Sequence, residues 1–127
     1  MINNFTHAEE NAVMVAVFWI LDADSKWAAN EKNYYFGLAT KFGWTQQDLV
    51  SSSSMSQTTA KSVISNMPSD KRRLVSCLLQ AAMFADGQMT FRKPAVDVFS
   101  SYVHEANVPG DVPVSEAINI AHQFVGC

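Results

Sequence analysis

The chain is short of the features that mark a compartment or a chemistry. Its 127 residues include two cysteines, too few for a disulfide framework. Cys77 lies in an apolar run and reads as a small buried hydrophobe with an unreactive thiol. Cys127 is the last residue. A bridge between the two would fit an oxidising compartment, and a redox role for either thiol stays open. There are five glycines and four prolines, and they form no phosphate loop, no dinucleotide fingerprint and no Gly-x-Ser-x-Gly elbow. No apolar run is long. The longest spans residues 12–21, about half of what a bilayer requires, so no transmembrane segment is expected. Met1-Ile2-Asn3-Asn4-Phe5 has no basic stretch leading into an apolar one. No signal peptide is therefore expected, and the cytoplasm is the expected compartment.

Positive charge is scarce as well. Nine Lys and Arg face twelve Asp and Glu, a net charge of −3. A duplex nucleic-acid binder needs a basic face to neutralise phosphates, so nucleic acid is not an expected partner. Strand-like alternation is missing, and no turn pair sits between alternating runs.

What the chain does have is helical periodicity and enough apolar residues, 48%, to fill one core. A single domain over residues 1–127 is expected. Thr6 and Glu9 have capping-box spacing and open a helix to about Asp22. Residues 12–21 are apolar on every face, which predicts a helix placed centrally. A second helix over about 29–42 carries Tyr34, Tyr35, Leu38, Ala39 and Phe42 on one face, and Gly43 stops it. Thr45 starts a short helix. Ser56 caps one reaching Met67. Pro68 breaks the pattern, and Ser69 caps a helix over 70–85. Thr90 caps the next, with Pro94 tolerable in its first turn. Residues 107–113 form a loop with Pro-Gly punctuation. A last helix over 114–125 shows Ile118, Ala121, His122 and Val125 on one stripe. The expectation is an all-α fold of about seven helices, two of them short.

The most informative feature is an internal duplication. A central apolar helix, an Asp-containing turn and an amphipathic helix occur over residues 13–42 and again over 75–104. Aligning Asp24 with Asp86 also aligns Ala23 with Ala85 and Trp27 with Met89. In each turn the Asp can accept hydrogen bonds from turn amides, and the apolar residue three positions on can plug the corner. Two related hairpins are expected, one over about 6–42 and the other over about 69–106. Residues 13–21 should pack against 74–85 in a common core, with the C-terminal helix over about 114–125 added.

Ala85-Asp86-Gly87-Gln88-Met89 resembles the Ala-Asp-Gly-x-apolar signature of the tellurite-resistance TerB-like domains. That family usually has a Glu seven residues after the Asp. The first copy keeps it as Glu31 but has Ser25 in place of Gly; the second keeps Gly87 but has Lys93 in place of Glu. The resemblance spans roughly residues 13–107. It implies a compact all-helical domain of two related halves. It also implies a role in stress or metal-resistance systems, alongside membrane-linked or chaperone partners, and metal binding through acidic residues. The departures at Ser25 and Lys93 break the symmetry that a two-loop metal site would need.

The acidic set Asp22, Asp24 and Glu31, with Asp86 in the second turn, is the candidate metal site. Carboxylates grouped at one helix corner suit a hard divalent cation such as calcium or magnesium. The spacing is not that of an EF-hand: counting from Asp22, the sixth position is Trp27 and the twelfth Asn33. The alternative is that Asp24 caps a turn while Glu31 serves the helix start or pairs with a lysine. Asp86 likewise reads as a turn cap, or as the partner of Lys93 in a structural ion pair. His7, His104 and His122 share no helix at metal spacing, and none adjoins a cysteine. Lys71, Arg72 and Arg73, with Arg92 and Lys93 across the second turn, are the candidate partner surface. An anionic partner or a membrane surface would suit them; a solvated helix start is the commoner explanation of such a run. Trp27, Trp44 and Phe91 at helix corners are a further candidate patch.

No catalytic set emerges. The expected function is that of a non-enzymatic helical binding or scaffold module with a protein partner and no resident cofactor. The alternatives are a divalent-cation-binding domain at the Asp22/Asp24/Glu31 corner and, more remotely, an enzyme whose site is built from scattered residues.

Overall fold

The computed structural model describes residues 5–24, 29–45, 47, 55–84 and 93–125. Six α-helices stand among these residues, and no strand does: α1 His7–Leu21, α2 Ala29–Lys41, α3 Gln57–Ser65, α4 Ser69–Met83, α5 Lys93–Glu105 and α6 Val114–Val125. A 3-10 turn over Asp22–Asp24 follows α1. The all-α expectation holds, with six helices rather than seven. The short helix expected from Thr45 falls, apart from Thr45 and Gln47, outside the described residues.

Local chemistry sets most of the boundaries. Thr6 and Glu9 close the capping box: the Thr6 hydroxyl accepts from the Glu9 amide at 3.1 Å, and the Thr6 amide donates to Glu9 Oε1 at 2.8 Å. Gly43, at φ +72°, ends α2 in a Schellman turn. The Trp44 amide donates to the Ala39 carbonyl and the Gly43 amide to that of Thr40, both at 2.9 Å. Ser56 caps α3 by accepting from the Thr59 amide at 3.1 Å. Asn107, at φ +57°, takes the left-handed position after α5. One cap differs from expectation. Pro68 is the N-cap of α4 and Ser69 its first helical residue, with no side-chain cap. Pro68 is extended (ψ 158°), a geometry its ring already favours.

Helix α1 is the axis of the molecule. It packs against α2, α3, α4 and α5, most broadly on α3 and next on α4. The expected meeting of residues 13–21 with the apolar stretch from Leu74 is therefore present. The broadest contact of all is between α4 and α6. Residues 74–84 are buried without a break, because α1, α5 and α6 all lie against α4. α2 is tied to α4 by the Tyr34 hydroxyl, which donates to the Leu78 carbonyl at 2.7 Å. Phe5, Phe42 and Phe124 meet edge to face at 5.9–6.2 Å, joining the start of the chain to the ends of α2 and α6.

Two of the expected faces are corrected. On α6 the buried stripe is Ala117, Ala121 and Phe124, while His122 is exposed. Of the expected stripe Ala121 is buried, and Ile118 and Val125 are half-buried against the core, so only His122 departs from it. On α1, residues 12–17, 20 and 21 are buried, but Phe18 and Trp19 are exposed. The helix is central along most of its length and open at one flank near its C-terminus.

Two buried polar groups on α4 hold the 107–113 loop. Ser76 Oγ donates to the Pro109 carbonyl at 2.5 Å; Gln80 Nε2 donates to the Val112 carbonyl at 3.2 Å and to Ser76 Oγ at 3.3 Å. Beside them Cys77 packs with Val112, Ala117 and Ile120. Burial pushes its thiol up, Arg73 pulls it down, Glu116 pushes it up again, and the result lies above the ordinary value. The thiolate, which is the reactive form, is suppressed accordingly.

Candidate functional site

The exposed flank of α1 meets an aromatic run on α2. Tyr34, Tyr35 and Phe36 are consecutive, and residues on a helix turn about 100° apart. Three in a row therefore span about 200° and cannot all face the core. Tyr34 and Tyr35 are buried, and Phe36 is 52% exposed. Phe18 and Trp19 on α1 are 38% and 41% exposed. These are the exposed large hydrophobics among the described residues. They form one row. Phe18 stands edge-on to Trp19 at 6.0 Å and to Tyr35 at 6.3 Å, and Tyr35 is edge-on to Phe36 at 5.5 Å. Edge-to-face contacts in this range add about 0.5–1.5 kcal/mol beyond area burial. Thr40 Oγ1 donates to the Phe36 carbonyl at 2.9 Å, and Lys32 lies one turn before Phe36, exposed.

The sequence carries a signal for Phe36 in the triple aromatic run. It carries none for Phe18 and Trp19. A stretch apolar on every face does not say which flank lacks a neighbour.

The residues expected to form a metal site are only partly placed. Asp22 caps the C-terminus of α1 and is half-buried. Glu31, in the first turn of α2, is 2% exposed, a rare setting for a carboxylate. The Asp24 side chain and Asp86 lie outside the described residues. Among the described residues no group of three or more His, Cys, Asp or Glu is gathered at metal-binding distance.

The basic residues expected to form a partner surface are engaged within the chain. Lys71 pairs with Glu9 at 2.8 Å, both side chains 16% exposed. Arg72 donates to the Met67 carbonyl at 3.0 Å and to the Asn107 carbonyl at 2.9 Å, serving the chain just beyond α3 and α5. Arg73 pairs with Glu116 at 2.6 Å. Lys93 pairs with Asp97, one turn on, at 3.1 Å, where Asp86 was the expected partner. Arg92 lies outside the described residues. Trp44, expected at a surface corner, is half-buried, and its indole N–H donates to Glu10 Oε1 at 2.9 Å. Trp27 and Phe91 lie outside the described residues.

The Glu9–Lys71 pair carries a pH dependence. Burial pushes the Glu9 carboxyl up, but Lys71 and the Thr6 amide and hydroxyl outweigh it, leaving the group below its ordinary value of 4.5. A carboxyl lowered by folding stabilises the fold fully above its unfolded value, and that contribution is lost as pH falls through the folded value. Lys71→Gln should therefore cost stability at pH 7, with the gap to the parent narrowing as pH falls below about 4. Urea unfolding of both proteins at pH 7 and pH 3 reads this directly. A gap equal at the two pH values would show that the pair contributes nothing through charge.

No family model matches the chain, and no curated protein matches it in sequence. A solved structure does resemble it. The crystal structure of a protein of unknown function from Porphyromonas gingivalis W83 is similar with a TM-score of 0.75 and 22% identity, over 96% of this chain and 99% of that one. The likeness is one of fold across the length of both chains, and fold alone assigns no activity.

Proposed function

We propose that the chain is a non-enzymatic, protein-binding helical module whose docking face is the aromatic row of Phe18, Trp19 and Phe36. The observation that carries this reading is the exposure of three large aromatic side chains joined through the ring of Tyr35, while most other large apolar groups among the described residues are buried. Aromatic anchors dominate protein interfaces because they offer large rigid area at little entropic cost. At roughly 200 Å² per aromatic side chain, their exposures leave about 260 Å² of ring surface in water. A stable interface takes about 800 Å² from each partner. The row therefore suits the anchor of a wider face, or a weak and transient contact.

The TerB-like plan of two related hairpins belongs to the same proposal. Its support is that α1 touches α2, α4 touches α5, and the two central helices touch each other. Each central helix also leans on a helix outside its hairpin, α1 on α3 and α4 on α6.

The test takes the full chain and a Trp19→Ala/Phe36→Ala variant as paired baits. Proteins retained by the first and lost by the second are identified, purified and titrated against both. Loss of two anchors should weaken binding by at least about thirtyfold, since one hot-spot residue is worth about 2 kcal/mol or more. A variant that stays folded and binds every specific partner like the parent would overturn the proposal.

The burial of Glu31 favours one second reading, a divalent cation held at the Asp22/Asp24/Glu31 corner. Binding to the folded state alone must raise the melting temperature. A rise with calcium or magnesium that Asp24→Asn removes supports it; no rise at millimolar ion ends it.

A further inference from the structure

We draw no further inference here: the strongest candidate, the exposed aromatic flank of Phe18, Trp19 and Phe36 where α1 meets α2, belongs to the site already described, and nothing in the structure shows what covers it.

Discussion

Leu78→Ala should cost about 2–5 kcal/mol of stability, the range for truncating a buried leucine, and lower the melting temperature by about 10 °C or more. Leu78 is fully buried on α4, the helix on which α1, α5 and α6 all pack. Its carbonyl receives the Tyr34 hydroxyl, so the backbone there is fixed from the α2 side and has little freedom to close a void. That places the cost toward the upper part of the range. Phe36→Ala removes a larger side chain, but about half of it is already in water. It should cost under about 1 kcal/mol, as surface changes do. Thermal or urea unfolding of the two variants side by side checks both numbers. A Leu78→Ala loss no larger than that of Phe36→Ala would mean that α4 does not lie in a packed interior.

Gln80→Met, close in volume to the native side chain, isolates a different force. It removes the donor to the carbonyl of Val112, a buried residue of the 107–113 loop. It also removes the donor to Ser76 Oγ. An orphaned buried acceptor costs about 1–3 kcal/mol, while the methionine adds back some apolar burial. We expect a net loss of about 1–2 kcal/mol and, more tellingly, faster cleavage of the 107–113 loop by a protease under native conditions. Unchanged cleavage alongside a full stability loss would assign the cost to packing rather than to the loop tether.

Much of the helical layout is legible in the sequence because it depends on short-range chemistry. The Thr6–Glu9 box, Gly43 and Ser56 each act within a few residues, and each sits where the spacing puts it. Ser69 is the exception, since the proline before it already has the geometry that a cap would have to impose. The faces are legible only where polar residues mark them. On α6 the polar residues place Ala121, Ile118 and Val125 toward the core, and only His122 is misjudged. α1 has none between residues 12 and 21, so its exposed flank cannot be seen until α2 and α3 are in place. The partners of the basic residues are illegible for a different reason. Lys71 finds Glu9 across 62 residues and Arg73 finds Glu116 across 43, and no local pattern records such pairs. Of the aromatic row only Phe36 is foreshadowed, by the three consecutive rings at 34–36.

Helix α1 is a shared axis, buried along residues 12–17 among α3, α4 and α5 and exposed at Phe18 and Trp19 near its C-terminus. Native-state hydrogen exchange tests this most directly, since amides in the packed centre of a domain open only when the whole molecule unfolds. The predicted result is one opening free energy for residues 12–17 of α1 and 75–82 of α4, equal to the global value from urea unfolding. Exchange of α1 through a cheaper local opening, with α4 still fully protected, would contradict it.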